Sequence, residues 1–180
     1  MFPLQVRNDV VVRILQETDA GEVFRTVVAN RDHLKPWLPW ADVTKSPEDT
    51  GTFIRNSLRD FGERKSVALG IWVGGIHAGG SGYHDHDWRN MKTEIGYWLA
   101  ERYQGQGIMT DVVRAILPYA FNELGMNRVE IHCAIENRRS RAIPERLGFT
   151  MDGIMRAAHK LYNNYVDLAI YGMLRGEFKS

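Results

Sequence analysis

The sequence predicts a mixed α/β fold of the α+β class. Several segments alternate apolar and polar residues with the period of two that is typical of strands, and others repeat apolar residues every three or four positions, as amphipathic helices do. A third observation is an apolar strand at residues 93–99 that runs through an Arg-x-x-Gly-x-Gly turn directly into one of these helices. Because a helix start presents unpaired N–H groups, this junction is also the first candidate for a binding site.

The first part of the chain predicts one strand and two helices. Residues 10–15 form the strand, and a helix that Thr18 can cap follows with one apolar face. The second helix begins after Ser46 with Pro47 in its first position, and Gly62 ends it.

The middle and the end of the chain predict two pairs of strands. A hairpin is expected at residues 66–73 and 76–83, joined by two glycines. The helix after the glycine turn contains Pro118, which removes one hydrogen bond and should distort the helix locally. Two last strands are expected near residues 153–161 and 165–174.

The glycine turn at residues 102–107 has the chemistry of a pyrophosphate site. Glycine lets backbone N–H groups approach an anion closely, and a helix start adds about half a positive charge. Arg102 adds a full charge at the rim. The segment contains neither the Gly-Lys-Ser/Thr of a P-loop nor the third glycine of a dinucleotide fingerprint, so coenzyme A is the anionic ligand to consider. A turn that binds no ligand is the alternative.

A second block follows the predicted strand at residues 129–135. It runs from Asn137 to Phe149 and includes a short helix that ends in Gly148-Phe149. Asn137 and Ser140 are also residue types that commonly cap helices, and capping and binding can coexist.

The glycine turn and the Asn137 block together resemble the GCN5-related N-acetyltransferases. That resemblance implies a central, mostly antiparallel twisted sheet with splayed middle strands, about four flanking helices and one domain over residues 1–180. Residues 30–40, 96–99 and 167–174 are similar to the ribosomal-protein N-terminal acetyltransferases of that superfamily. An acetyl-CoA-dependent N-acetyltransferase is the expected enzyme.

The resemblance also assigns a coenzyme site. The turn would hold the diphosphate, the splayed strand would pair with the pantetheine amides, and the Asn loop would hold the pantetheine arm. The residues assigned to acetyl-CoA are Tyr97, Trp98, Leu99, Arg102, Gln104, Gly105, Gln106, Gly107, Ile108, Met109, Thr110, Asn137 and Ser140.

The catalytic candidates are Glu94 and Ser140. Glu94 lies where some members of the superfamily carry a catalytic glutamate; its alternatives are an ion pair with a basic neighbour and binding of the substrate cation. Many relatives place a tyrosine four residues before the closing glycine of the short helix, where this chain has Pro144. Ser140 is therefore expected to protonate the leaving thiolate, with capping as the alternative.

The sequence indicates the acceptor substrate less clearly than it indicates the coenzyme. The resemblance suggests the α-amino group of a ribosomal protein, with a small amine such as a polyamine, amino acid or aminoglycoside as one alternative and a non-enzymatic acyl-CoA sensor as another. Trp37 and Trp40 are candidates for walls of an acceptor groove, or for core or dimer packing. A homodimer through the tryptophan segment or an edge strand is an expectation from analogy.

Composition and short motifs bear on the partners, metal sites and location that are expected for this chain. The 23 basic and 22 acidic residues nearly cancel, which gives no bias toward nucleic acid or membrane surfaces. Cys133 is the single cysteine and is expected to be an inert packing residue. Residues 84–87 (His-Asp-His-Asp) are expected to form an exposed loop rather than a metal site. No signal segment or eighteen-residue apolar run is visible, so the cytoplasm is expected.

Overall fold

The computed structural model describes residues 2–179, and its centre is one sheet of eight strands. The strands are β1 (Leu4–Arg7), β2 (Val10–Ile14), β3 (Val67–Val73), β4 (Ile76–Asp87), β5 (Lys92–Leu99), β6 (Arg128–Ala134), β7 (Thr150–Leu161) and β8 (Asn164–Leu174). Their order in the sheet is β1-β2-β3-β4-β5-β6-β8-β7.

Helices flank this sheet and agree with the expected number. The α-helices of the described part are α1 (Ala20–Ala29), α2 (Arg31–Leu34), α3 (Trp40–Val43), α4 (Pro47–Gly62), α5 (Ile108–Pro118) and α6 (Arg138–Leu147). Because α2 and α3 are single turns, four longer helices remain. The α+β prediction is confirmed.

The middle of the sheet opens where β5 meets β6. All neighbouring strands are antiparallel except this parallel pair, which is in register only from Lys92 opposite Arg128 to Glu94 opposite Glu130. Beyond Glu94 the two strands diverge, which confirms the splay. Within residues 2–179, the β6-facing side of the second half of β5 therefore has no strand partner.

Helix α5 covers the opening from one side of the sheet. Its apolar stripe, including Val112, Val113 and Ile116, is fully buried in the main core. Pro118 ends the α-helix, and one turn of π-helix follows at Tyr119–Glu123. The local distortion expected from Pro118 is confirmed.

The predicted start of α4 and the predicted β3–β4 hairpin are confirmed. The side chain of Ser46 accepts a hydrogen bond from the Asp49 N–H and caps α4. The two glycines between β3 and β4 have φ angles of 58° and 78°, a left-handed conformation that favours glycine in a tight hairpin. No helix of the described residues is long and apolar enough to cross a membrane.

Two local predictions are wrong, and one strand is missing from the predicted elements. Strand β1 was not expected at all. Thr18 does not cap α1, because it lies inside a 3₁₀ turn at Glu17–Asp19 that precedes this helix. Residues 84–87 do not form a loop: they continue β4, since His84 pairs with Glu94 and Asp87 pairs with Lys92, with a β-bulge between the two pairs.

Candidate active site

A cleft of about 1630 Å³ occupies the opening between β5 and β6. The glycine turn, the start of α5 and helix α6 line one end of it. The end of β4 lines the other end, whereas α2 lies beside the glycine turn, since His33 contacts Gln104 at 2.6 Å. The cleft therefore joins both parts of the predicted site, the coenzyme end and the acceptor end.

The glycine turn is built as an anion site. Gly105 and Gly107 have φ angles of 73° and 74°, and α5 begins directly at Ile108. No side chain of the described residues caps this helix, so its first N–H groups remain for a ligand. Arg7 of β1 fixes the turn from behind, since its guanidinium donates to the Gln106 carbonyl at 3.0 Å and to Asp111 at 2.7 Å.

Most of the side chains assigned to the coenzyme line this cleft. Two of them do not: the Arg102 guanidinium lies over the Tyr103 ring at 4.5 Å, and the Gln106 amide donates to the Arg102 carbonyl at 2.9 Å. The assigned residues that line the cleft are Tyr97, Trp98, Leu99, Gln104, Gly105, Gly107, Ile108, Met109, Thr110, Asn137 and Ser140.

Positive charge at the coenzyme end comes from helix α6, which sequence reasoning missed. Arg138, Arg139 and Arg146 line the cleft. Arg139 donates to the Gln104 side chain at 3.2 Å, and Arg146 donates to the Thr110 hydroxyl at 2.7 Å. The seven-residue spacing of Arg139 and Arg146 places them on one helix face and was the available signal.

Ser140 sits at the centre of the cleft in a small polar cluster. The cap of α6 is Asn137, whose side-chain oxygen accepts from the Ser140 N–H at 3.2 Å, so the Ser140 hydroxyl is not used for capping. That hydroxyl donates to the Tyr97 hydroxyl at 3.3 Å and lies 3.2 Å from the Cys133 sulfur. Pro144 is buried in α6 and offers no donor.

Burial keeps the neighbours of Ser140 protonated. It raises the pKa of the Tyr97 hydroxyl well above its ordinary value and raises the pKa of the Cys133 thiol. The expectation that Cys133 is buried is confirmed, but its side chain also lines the cleft. The cluster therefore presents neutral hydroxyl and thiol groups to a ligand.

Glu94 is paired with a histidine that the sequence analysis did not select. Its Oε2 lies 2.9 Å from Nδ1 of His132, and its Oε1 lies 3.8 Å from Nε2 of His84. The other nitrogen of His132 lies 2.9 Å from Glu130, which in turn accepts from Arg128 at 2.7 Å. The ion-pair alternative for Glu94 thus describes the contacts that its carboxylate makes within the chain.

The charges of these groups shift one another's pKa values. Burial alone would lower the pKa of His132, but hydrogen bonds and charge interactions with Glu94 and Glu130 outweigh it and raise that pKa. Burial would raise the pKa of Glu130, whereas hydrogen bonds from Arg128 and His132 outweigh it and lower that pKa. Glu130 is therefore ionised across the neutral range.

One of the two predicted tryptophans lies in the cleft. Trp37 lines the cleft, whereas Trp40 lies outside its lining and packs edge-on against Trp98 at 5.7 Å between ring centres. The tip of the β7–β8 hairpin reaches the same region, since the Tyr162 hydroxyl donates to Asp42 at 2.7 Å and to the Lys35 carbonyl at 3.1 Å.

Acidic groups border the acceptor end. The potential ligand atoms of His84, Asp85 and Glu94 lie within 4.8 Å of one another, a spacing that could hold a metal ion. However, Glu94 already contacts His132, and the Asp85 side chain is 83% exposed. We interpret the group as an acidic rim suited to an ammonium group.

Comparison with known proteins agrees with this geometry. Residues 9–150 match the family described as Acetyltransferase (GNAT) domain. A Bacillus subtilis (strain 168) protein whose name gives a provisional assignment as a ribosomal N-acetyltransferase is 34% identical over 181 residues, which cover 99% of this chain and 98% of that protein. The ribosomal-protein-serine acetyltransferase of Escherichia coli (strain K12) is 23% identical over 171 residues, or 95% of this chain and 96% of that protein.

A solved structure extends the likeness to the coenzyme. RimL, a ribosomal L7/L12 α-N-protein acetyltransferase in complex with coenzyme A, superposes with a TM-score of 0.92 at 25% identity, over 98% of this chain and 99% of that one. In that complex the coenzyme forms a disulfide with a cysteine. The family match, the relatives and the anion-binding cleft lead to one conclusion: the chain belongs to the GNAT acetyltransferase family and is an acetyl-CoA acyltransferase of the ribosomal-protein acetyltransferase type.

Proposed function

We propose that this enzyme acetylates the α-amino group of a protein N-terminus, with a ribosomal protein as the acceptor. The observation that carries the proposal is the acceptor end of the cleft, where Glu94 and the exposed Asp85 offer negative charge to an ammonium group. The names of the Escherichia coli relative and of RimL support a ribosomal acceptor.

The coenzyme is proposed to lie along the cleft from the glycine turn to Ser140. Its phosphates would accept hydrogen bonds from the first N–H groups of α5 and charge from Arg139 and Arg146. Its sulfur would lie beside Ser140 and Cys133. The coenzyme disulfide in the RimL structure supports a sulfur position next to a cysteine, and Cys133 is the single cysteine of this chain.

The proposed reaction is direct attack of the amine on the thioester. Glu94 accepts a proton from the ammonium group, and the freed nitrogen lone pair forms the C–N bond. A main-chain N–H on the open, β6-facing edge of residues 97–99 stabilises the oxyanion. The C–S bond then breaks, and the Ser140 hydroxyl donates a proton to the thiolate. The second proton that the nitrogen loses as the amide forms restores the Ser140 hydroxyl through solvent.

A panel of acceptors tests the proposed substrate class. Peptides with different N-terminal residues, polyamines and aminoglycosides are each incubated with acetyl-CoA, while free thiol and acceptor mass are measured together. We expect acetylation of peptide α-amines only. A modified small amine would favour the second class of acceptor, and coenzyme binding without any acetylated product would favour a sensor.

Three further expectations stay predictions: one domain over residues 1–180, a homodimer and a cytoplasmic location. The last would follow from a ribosomal acceptor. Sedimentation of the purified protein across a concentration series would test the dimer.

A further inference from the structure

The proposed reaction poses a proton problem at Glu94. An ordinary glutamate has a pKa of about 4.3, whereas an α-ammonium group has a pKa near 8. A lone carboxylate is therefore a weak acceptor for this proton, and efficient proton transfer needs a group whose pKa lies closer to that of the amine.

The sheet places such a group directly behind Glu94. Because Glu94 and Glu130 are opposite each other in the parallel pair, His132 lies two residues further along β6, on the same face as Glu130. Its Nδ1 is 2.9 Å from Glu94 Oε2. The other carboxylate oxygen, Oε1, is directed toward His84, which lines the cleft.

Glu130 is held in place on the far side of His132. Arg128 donates to it at 2.7 Å, Lys92 approaches it at 3.6 Å, and Arg128 is itself paired with Asp152. Gly172 of β8 makes room for the guanidinium, since a Cβ at this position would collide with Arg128. The carboxylate of Glu130 can therefore orient the Nε2–H of His132 and stabilise an imidazolium.

We propose that His132 receives, through Glu94, the proton that leaves the acceptor ammonium. This inference rests on the proposed amine acetylation but not on the identity of the amine. The N–H bond of the ammonium breaks, Glu94 takes the proton, and the proton passes to the vacant Nδ1 of His132. The imidazolium ends with one N–H donated to each carboxylate. His132 also lines the cleft, but in this proposal it acts through Glu94 and is a positioning residue.

The charged groups around His132 define the expected pH dependence. Glu94 and Lys92 face it from β5, Glu130 and Arg128 from β6, and His84 from β4 through Glu94. On β8 its register partner is Ile170, which does not titrate. His132 must be neutral before it can accept the proton, so turnover should rise with pH through the raised pKa of His132.

The first test is the pH profile of kcat, measured at saturating acetyl-CoA with any amine that the enzyme acetylates. His132→Gln should lower kcat by about 10²-fold or more and remove the ascending limb, with the affinity for acetyl-CoA unchanged. His86→Gln is the matched control, because this half-buried histidine bonds Thr93 outside the cleft lining and should keep the wild-type profile. A His132→Gln enzyme with the wild-type kcat and limb would overturn the proposal.

A second test needs no acceptor at all. Titration of the His132 imidazole by nuclear magnetic resonance in the full-length protein should give a pKa above its ordinary value, which Glu130→Gln should lower. An unchanged titration in Glu130→Gln would contradict the proposed imidazolium site. Failure of the peptide panel would instead count against the proposed substrate class, so the two failures are distinguishable.

Discussion

The hydroxyl of Ser140 is the proton donor that we propose for the leaving thiolate. Since Asn137 caps α6 through the Ser140 main chain, removal of the hydroxyl should leave the helix intact. We expect Ser140→Ala to lower kcat by about 10²-fold with unchanged coenzyme affinity. Steady-state kinetics together with equilibrium coenzyme binding measure the two effects separately.

A matched control separates capping from catalysis. Asn137→Ala removes the cap and should cost about 1 kcal/mol of folding stability, which Ser140→Ala should not. An unaltered kcat in Ser140→Ala would exclude the hydroxyl as the proton donor.

The role of Glu94 is tested by a substitution that should leave coenzyme binding unchanged, because Glu94 lies away from the glycine turn. Glu94→Gln keeps the shape of the side chain but removes the charge that receives the proton. We expect coenzyme binding to be retained and most turnover to be lost, measured at saturating acceptor so that weaker acceptor binding cannot explain the loss. Wild-type turnover under these conditions would remove Glu94 from the mechanism.

At the residue scale, the sequence predicted the site residues that lie in or near recognisable motifs. It missed those whose contacts depend on the pairing register of two strands. Glu94 and Ser140 flank the two motifs, and both line the cleft. His132 could not be selected, because its contact with Glu94 depends on the parallel pairing of β5 with β6, two strands that are distant in the chain. Period-two alternation predicts each strand but not which residues lie opposite each other.

Among the elements, the glycine turn offers the sharpest test of coenzyme binding. Alanine in a left-handed conformation costs about 1–2 kcal/mol. Gly107→Ala should therefore lose stability, and it should also weaken coenzyme affinity by about tenfold or more, since a loss of about 1.4 kcal/mol in binding has that effect. Chemical denaturation and calorimetric coenzyme titration provide the two measurements.

Gly74→Ala is the control for backbone strain alone. Gly74 also has a positive φ, of 58°, and open space where the alanine methyl group would lie, but it belongs to the β3–β4 hairpin. It should lose similar stability and keep full coenzyme affinity. Equal coenzyme affinities of the two variants would contradict a role for the Gly107 turn.

Elements with local signals were predictable from the chain, whereas elements that depend on a partner were not. Ser46 and Pro47 mark the start of α4, and Pro118 ends α5. In contrast, residues 84–87 are polar and have the composition of a loop, yet β4 continues through them because β5 supplies hydrogen-bonding partners. Tertiary pairing overrides local propensity there.

At the scale of the molecule, the sheet order was not contained in any local pattern. β8 lies between β6 and β7, so the last hairpin folds back and places its second strand innermost. The family resemblance supplied the general fold class but not this strand order. This order brings Tyr162 at the tip of the hairpin to the loop region after α2.

Two histidines should give the whole molecule a stability maximum near pH 6.5. Burial between Trp72 and Trp98 lowers the pKa of His77 from 6.5 to about 4. Between these values the unfolded chain binds a proton that the folded protein rejects, so stability falls as pH decreases, by up to roughly 3 kcal/mol. His132 has the opposite sign: its raised folded pKa contributes stability below 6.5 that is lost as pH rises through that pKa.

Urea unfolding at about pH 4.5, 6.5 and 8.5 measures both slopes. His77→Phe keeps an aromatic ring at a buried site whose Nδ1 has no hydrogen-bond partner among the described residues, and it should flatten the acid slope alone. His132→Gln should flatten the alkaline slope alone, because it removes the imidazolium between Glu94 and Glu130. An acid slope that persists in His77→Phe would assign it to other groups with lowered pKa values, such as His86 and Asp19, and not to His77.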